Sequence, residues 1–248
     1  MTHQQSVRDL AARLGADPAG GISHVRFRQS GQMKLSLTSE RWRAFSAEQT
    51  MSVLSCAFLW RARFRPLGYL CVVDALEFGK GRLDVSAFGI LPVLRTRPTA
   101  ALTKAERLRY LAELPFAPDA MLTNPALSWR EVDADHLVVS CGTGPMRAEV
   151  TFALNADGRV AGVSATDRPR SATSPTLPTP WIGAFSDYRQ IGGRWVPGSG
   201  QVAWVIGGTP IWYWRGTVHD WSIGIKPEMV RKRPKQGLLY SPAQGPQT

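Results

Sequence analysis

The segment AFLWRARFR (residues 57–65) indicates the fold class of this chain more clearly than any other stretch. Its apolar and basic side chains alternate strictly, one set being Phe58, Trp60, Ala62 and Phe64 and the other Arg61, Arg63 and Arg65. Because successive side chains of a β-strand point to opposite faces, this alternation predicts a strand with one buried face and one wet face. One-sided strands of this kind are typical of antiparallel sheets.

The same alternation recurs along most of the chain. It is found in HVRFRQ (24–29), QMKLSL (32–37), HLVVSC (136–141), RAEVTFALN (147–155) and RVAGVSA (159–165). We therefore predict a mainly β protein with one large curved antiparallel sheet, or open half-barrel, of about 10–12 strands. We expect a single domain over residues 1–225.

Two helices are predicted beside the sheet. A short one, within an N-terminal helix and linker segment of residues 1–22, begins near Ser6. A longer one is expected at about residues 103–114, where Thr103 and Glu106 have the spacing of a capping box. We expect the longer helix to pack in or over the concave face of the sheet.

Two segments lack the strand pattern. Residues 167–180 are rich in Pro, Ser and Thr, which predicts a long surface loop that forms a flap. Residues 226–248 are basic and Pro-rich with few core residues, which predicts a disordered tail.

The charge balance is strongly basic. The chain has 248 residues, with 30 Lys and Arg against 19 Asp and Glu, giving a formal net charge of +11. Such a charge permits attraction to nucleic acid, anionic lipid or acidic metabolites. Because the basic residues are spread along the chain, a solvated basic surface is the favoured explanation, and we do not expect nucleic-acid binding.

The sequence predicts a cytoplasmic protein without an integral membrane segment. The N-terminal residues show no signal peptide, and no run of about 18 apolar residues occurs. The three cysteines, Cys56, Cys71 and Cys141, are far apart in sequence and form no C-x-x-C pair, which suits a reducing compartment. The four histidines show no metal-ligand spacing, and no phosphate-binding or nucleophile-elbow motif is present, so we predict neither a metal site nor a cofactor. The oligomeric state stays open.

The best candidate site is the aromatic segment PTPWIGAFSDYRQIGGRWVP (residues 178–197). If residues 181–190 form one strand, Asp187 and Arg189 share a face with Trp181, and Tyr188 points the other way. Two interpretations remain: the rings fill a core edged by a paired Asp187, or they line a ligand pocket with a few polar contacts. The predicted ligand-binding residues are Trp181, Phe185, Asp187, Tyr188, Arg189, Trp204, Trp212, Trp214 and Arg215.

Three segments carry a resemblance to known proteins. They are WRAFSAEQ (42–49), YLAELPFAP (110–118), and PTPWIGAFSDYRQIGGRWVPGSGQVAW (178–204) followed by YWRG (213–216). Together they resemble a family of uncharacterised bacterial proteins, a domain of unknown function, over about residues 23–222. The element order is also similar to the LolA and LolB lipoprotein-carrier fold, which implies a half-barrel closed by helices around an acyl-chain cavity. This sequence lacks the export signal and lipid-anchor cysteine of those carriers.

We therefore expect a soluble binding protein for an amphipathic or apolar, lipid-like small molecule held in the half-barrel. The alternative is a cofactor-independent enzyme, an isomerase, cyclase or hydrolase, that acts in the same cavity. In that case Asp187 or Glu48 would be the acid-base residue. A lower-ranked alternative is nucleic-acid binding through the basic surface.

Overall fold

The computed structural model describes residues 3–64, 70–171 and 176–225. The predicted disordered tail, residues 226–248, lies outside the described residues, and so does Arg65. Among the described helices, none combines the length and the apolarity that crossing a bilayer requires.

The chain forms three helices and fifteen strands within the described residues. The helices are α1 (His3–Arg13), α2 (Ala100–Ala112) and α3 (Ala120–Thr123), and short 3-10 helices lie at Leu114–Phe116 and Gly144–Met146. The first six strands are β1 (Ile22–Lys34), β2 (Trp42–Ser52), β3 (Phe58–Phe64), β4 (Leu70–Glu77), β5 (Lys80–Ala87) and β6 (Leu91–Arg95). The others are β7 (Ser128–Glu131), β8 (His136–Cys141), β9 (Ala148–Leu154), β10 (Val160–Pro169), β11 (Pro178–Ser186), β12 (Arg189–Ile191), β13 (Arg194–Val196), β14 (Ser199–Ile206) and β15 (Thr209–Ile225).

Thirteen of these strands form one antiparallel sheet that curls into a half-barrel. Their order is β6-β5-β4-β3-β2-β1-β15-β14-β11-β10-β9-β8-β7, and β12 and β13 form a separate small hairpin. The predicted mainly β half-barrel is confirmed, although the sheet has more strands than the expected 10–12. The long pairing of β1 with β15 joins the N-terminal meander to the C-terminal strands.

Three glycines form a row across the middle of the sheet. Gly31 of β1 pairs with Gly216 of β15, which in turn pairs with Gly200 of β14. A Cβ atom on Gly31 would lie 2.1 Å from the carbonyl oxygen of Arg215, and one on Gly216 would lie 2.7 Å from the Trp214 ring. Only glycine therefore permits this close approach of backbone and aromatic ring on the inner side.

The helix α2 lies against the concave face, where it contacts β4, β5, β9 and β10. It begins one turn earlier than predicted, because the N-cap is Thr99, whose side chain accepts a hydrogen bond from the backbone N–H of Leu102. Thr103 instead accepts a hydrogen bond from the backbone N–H of Gly81, 3.0 Å away. Glu106 therefore belongs to the second turn, where it is buried and does not close a capping box.

The predicted loop at residues 167–180 is also shorter than expected. Strand β10 continues to Pro169, strand β11 starts at Pro178, and these two residues pair with each other. Residues 172–175 lie outside the described residues. The composition of this segment suggested a loop, but its ends are held in the sheet by the pairing of Arg168 with Thr179.

Candidate functional site

A cavity of about 240 Å³ lies between α2 and the concave face of the sheet. Its aromatic wall includes Trp60, Trp181, Phe185, Trp204, Tyr213 and Trp214. A dry apolar cavity of about 150 Å³ is already large enough to bind benzene, and sites for drug-sized ligands begin near about 300 Å³. The space therefore suits one small molecule or a single alkyl chain.

Four of the predicted site residues contribute to this wall. They are Trp181, Phe185, Trp204 and Trp214. Trp181 and Trp204 pair across β11 and β14 and are both buried, so the strand parity inferred for this part of the sequence is correct. The ring of Trp214 stacks on Phe45, with ring centroids 5.8 Å apart.

Tyr213 is a cavity residue that strand parity does not reveal. The register between β14 and β15 slips at this point, since Val202 pairs with Trp214 while Ala203 pairs with Trp212. The extra residue is Tyr213, which this β-bulge directs into the cavity. Its ring stacks on Trp204 at 5.9 Å, and its hydroxyl accepts a hydrogen bond of 2.9 Å from the indole N–H of Trp181. Burial raises the pKa of this hydroxyl.

Because of the same bulge, Trp212 lies on the opposite face of the sheet from the one predicted. Simple alternation puts Trp212 on the same face as Trp214, and both were predicted to bind ligand. In the structure Trp212 lies opposite Ala203, whose neighbours Val202 and Trp204 line the cavity. Trp212 is therefore on the outer face of the sheet and does not line the cavity.

The prediction that Asp187 and Arg189 reach the cavity is wrong. Strand β11 ends at Ser186, and Asp187 turns the chain with a left-handed backbone, φ 55°. Both Asp187 and Arg189 are exposed. Tyr188 is half-buried and points elsewhere, because its hydroxyl donates a hydrogen bond of 2.7 Å to the carbonyl oxygen of Val160. The expected strand of residues 181–190 thus stops before its charged residues.

Arg215 and Glu48 also lie on the outer face. Arg215 is exposed, its Nε donates to Gln32 at 2.9 Å, and its guanidinium lies 4.6 Å from the centroid of Trp42. Glu48 is exposed and pairs in register with residues of the neighbouring strands that are exposed too. Neither Glu48 nor Asp187 can act as an acid-base residue in the cavity, since neither lines it.

Arg168 is the second cavity residue that a bulge puts in place. Ala165 pairs with Trp181 and Arg168 pairs with Thr179, so β10 has one residue more than β11 between these points. Without that residue Asp167 would stand opposite Thr179 on the inner face. The bulge instead brings Arg168 there, buried at 8% exposure. Its guanidinium lies 4.7 Å from the Trp181 ring centroid and 5.8 Å from that of Trp204.

A second arginine, Arg109 of α2, is fully paired. Its Nη1 lies 2.5 Å from Oδ2 of Asp74, and its Nε lies 3.0 Å from Oε1 of Glu113. Its guanidinium also lies over the rings of Phe58 and Trp60, at 4.9 and 5.0 Å. The two carboxylates hold the pKa of Arg109 above its ordinary value despite burial.

Glu106 is the buried acid of the cavity. Burial raises its pKa well above the ordinary 4.5, and the negative charge of Asp74 raises it further, while Arg168 and Arg109 oppose the shift. Glu106 therefore keeps its proton to a higher pH than an exposed glutamate does. Sequence reasoning assigned this residue to a helix cap, and nothing in its spacing distinguished a capping residue from a buried acid.

Several polar atoms around the cavity lack partners. Among the described residues, no hydrogen-bond partner is found for Nε and Nη1 of Arg168 and for Nε1 of Trp60, whereas the carboxyl groups of Glu106 and Asp74 hydrogen-bond to each other when Glu106 is protonated. An unpaired buried polar atom costs about 1–3 kcal/mol, and native proteins contain few of them. Unpaired N–H donors around one small cavity are the arrangement that a polar ligand group would complete.

Metal binding has no support in the described residues. They contain no group of three or more His, Cys, Asp or Glu side chains placed to hold an ion.

Several solved structures resemble this chain at low sequence identity. A LolA superfamily protein from Nitrosomonas europaea matches with a TM-score of 0.50 and 9% sequence identity, over 92% of this chain and 96% of that chain. A DUF1329 family protein from Desulfovibrio piger matches with a TM-score of 0.49 and 10% identity, over 92% and 95% of the two chains. None of the curated proteins compared with the chain matches it significantly.

The sequence comparison is more specific than the structural one. Residues 7–222 match the model of a family of unknown function, DUF6920. This match begins within α1 and includes both halves of the sheet and every cavity residue named above. The protein belongs to the DUF6920 family.

Proposed function

We propose that this protein binds a small amphipathic or apolar molecule in the cavity between α2 and the sheet. One observation carries the proposal: an aromatic cavity of about 240 Å³ is surrounded by buried polar atoms that lack partners among the described residues. Apolar walls with a few convergent polar groups are the usual composition of a ligand site. A cavity that served only as packing space would have no need of buried charges.

The size of the cavity limits the ligand. A volume of 240 Å³ is below the range of about 300–1,000 Å³ typical of drug-sized ligands. The ligand is therefore a single short alkyl or aromatic group with one polar end. Large aromatic side chains take up the rest of the space between α2 and the sheet.

The proposal is tested by filling the cavity. Ala105 of α2 lines it, whereas Ala101, one turn away on the same helix, is half-exposed and does not. Titration calorimetry with 1-octanol as the probe should show binding to the wild type and to Ala101→Phe. Ala105→Phe should bind at least about tenfold more weakly, because the new ring occupies the space of the ligand.

Two results would contradict this proposal. One is an absence of 1-octanol binding by the folded wild type. The other is equal binding by Ala105→Phe and Ala101→Phe, with both variants shown to be folded by their thermal transitions. Equal binding would mean that the probe occupies another surface.

A second candidate function, a cofactor-independent enzyme in the same cavity, has one observation in its favour. Glu106 is a buried acid with a raised pKa beside Asp74 and Arg168, and shifted acids are common in active sites. The acid-base residue of such an enzyme would be Glu106, in place of Asp187 or Glu48. A binding protein returns its ligand unchanged, so recovery of an altered ligand that depends on Glu106 would favour the enzyme.

Nucleic-acid binding remains the lowest-ranked alternative. Its main requirement is an open row of aromatic rings on which bases can stack. The rings of Trp181 and Trp204 are instead buried beneath α2.

A further inference from the structure

We propose that the ligand has a carboxylate head group and that Arg168 binds it. This inference rests on the proposed function and names the chemical class of its ligand. It is carried by the placement of Arg168, by the absence of a carboxylate partner for it among the described residues, and by the charges of the groups around it.

Arg168 is a buried cation with unused hydrogen-bond donors on Nε and Nη1. Its exposure is 8%, it lines the cavity, and neither Nε nor Nη1 has a partner within the described parts of the chain. The flat rings of Trp181 and Trp204 are near its guanidinium, at 4.7 and 5.8 Å from the ring centroids. Cation–π contact with the rings partly offsets the cost of burial but satisfies none of the N–H donors.

Each carboxyl group near Arg168 interacts with another side chain. Asp167 precedes Arg168 in sequence, but its Oδ2 forms an ion pair with Nζ of Lys104 at 2.5 Å. Asp74 and Glu113 both pair with Arg109. Glu106 is close enough for Arg168 to influence its pKa, yet burial and the charge of Asp74 raise that pKa and so favour the protonated acid.

The charged groups that line the cavity sum to one positive charge when Glu106 is protonated. The cations are Arg109 of α2 and Arg168 of β10, and the anions are Asp74 of β4 and Glu113 of α2. Glu106 of α2 is neutral when protonated, Tyr213 of β15 is neutral because burial raises its pKa, and Arg170 is exposed at the opening. Arg109 pairs with both carboxylates, so Arg168 has no counter-ion among the described residues, and with Arg170 included the lining carries three cations against two anions.

A single negative charge fits this balance better than two. Arg168 is one cation, and Asp74 and Glu113 would repel any surplus negative charge brought into the same small space. A planar carboxylate also accepts hydrogen bonds readily from a guanidinium. The head group is therefore a carboxylate rather than a dianionic phosphate.

The protonation state of Glu106 affects the binding of a carboxylate ligand. When Glu106 loses its proton, its negative charge competes with the ligand carboxylate for Arg168. Affinity for a carboxylate should therefore fall as the pH rises through the pKa of Glu106. The amide of Glu106→Gln imitates the protonated acid, so that variant should retain binding and lose the pH dependence.

The test compares three probes of equal chain length that differ only in charge: octanoate, 1-octanol and octylamine. Titration calorimetry of the wild type in neutral buffer should show that octanoate binds at least about tenfold more tightly than 1-octanol, because charge-assisted hydrogen bonds are strong. In Arg168→Gln the ratio of the octanoate affinity to the 1-octanol affinity should fall to about one. Octyl phosphate should bind more weakly than octanoate.

The control variant is Arg159→Gln. Arg159 also lies over a tryptophan, 3.8 Å from the ring centroid of Trp195, but it does not line the cavity. Its removal should leave the preference for octanoate unchanged. Loss of the preference in Arg159→Gln as well as in Arg168→Gln would indicate a general effect of lost positive charge.

The outcomes separate the two proposals. If 1-octanol binds and octanoate binds no better, or if Arg168→Gln retains the preference, the carboxylate inference is overturned and the binding function stands. If octylamine binds most tightly, the carboxyl groups of Asp74 and Glu106 select a cation, which also overturns it. If none of the probes binds to the folded protein, both proposals fail.

Discussion

The cavity contains two buried arginines in similar surroundings and with different partners. Arg109 lies over Phe58 and Trp60, and Arg168 lies over Trp181 and Trp204, at centroid distances of 4.7–5.8 Å. Arg109 also pairs with two carboxylates, whereas Arg168 pairs with none among the described residues. Both arginines thus stack on aromatic rings, and they differ in whether a carboxylate pairs with them.

This difference separates a structural charge from one available to a ligand. A buried ion pair is held by the mutual attraction of its members, and removing one member leaves the other uncompensated. Arg109 is held in this way by two carboxylates, so its charge is less available to a ligand. Arg168 has the same burial without that fixation.

The largest expected effect is that of Arg109→Gln. This change leaves Asp74 and Glu113 buried without their cation, so we expect the free energy of unfolding to fall by about 3–5 kcal/mol. Urea denaturation followed by tryptophan fluorescence measures it. A loss below about 1 kcal/mol would show that the ion pairs of Arg109 contribute little and would remove the contrast between the two arginines.

Glu106→Gln should have the next largest effect, on the pH dependence of stability. The folded state holds a proton on Glu106 that the unfolded state loses above the ordinary pKa of 4.5. Wild-type stability should therefore fall as the pH rises from that value to the raised pKa, by at most about 1.4 kcal/mol per pH unit from this group. The difference between the wild type and Glu106→Gln, measured by denaturation at several pH values, isolates this slope. Parallel pH profiles would mean that Glu106 is ionised in the folded protein.

Arg168→Gln should change stability much less than Arg109→Gln. The loss of cation–π contact is offset by the removal of an unpaired buried charge, so we expect a change below about 1 kcal/mol in either direction. Denaturation under the same conditions as for Arg109→Gln makes the comparison direct. A loss as large as that of Arg109→Gln would mean that Arg168 is a structural residue.

Asp187→Asn should have the smallest effect. Asp187 is exposed, lies outside the cavity and has a left-handed backbone that asparagine also tolerates. We expect stability to change by less than about 0.5 kcal/mol and the affinity for 1-octanol to stay the same. A clear loss of 1-octanol binding would show that the segment around Asp187 belongs to the ligand site.

Sequence periodicity identified the sheet because the signal is repeated in nearly every strand. In β3 the buried and exposed side chains alternate from Phe58 to Phe64 as the opening segment predicts. The same parity correctly placed Trp181, Phe185 and Trp204 around the cavity. Alternation is reliable wherever a strand pairs without interruption, because the period of two is fixed by backbone geometry.

The sequence-based assignments of residues to a face of the sheet are wrong where a bulge interrupts the two-residue alternation of a strand. A bulge at Tyr213 puts Trp212 and Trp214 on opposite faces of the sheet. A bulge before Arg168 puts Arg168, in place of Asp167, on the inner face. Each bulge adds one residue and so reverses the parity of everything beyond it. A bulge depends on the register in which two strands pair, here β14 with β15 and β10 with β11, and the alternation within one strand does not reveal that register.

Glu106 was missed for a different reason. Its spacing from Thr103 imitates a capping box, whereas the helix is capped by Thr99. Only the packing of α2 against β4 and β10 shows that the Glu106 side chain is buried beside Asp74 and Arg168. The polar part of the site thus depends on tertiary contacts, and the apolar part follows from the strand pattern.

The most direct measurement of the central claim uses the tryptophans themselves. The chain has nine, and four of them, Trp60, Trp181, Trp204 and Trp214, line the cavity. Each indole N–H gives its own signal in a ¹⁵N–¹H correlation spectrum. On titration with octanoate, our account predicts that these four signals shift together and saturate while those of Trp42, Trp129, Trp195, Trp212 and Trp221 stay in place. Shifts confined to the second group, or no saturable shift in the first, would contradict the account.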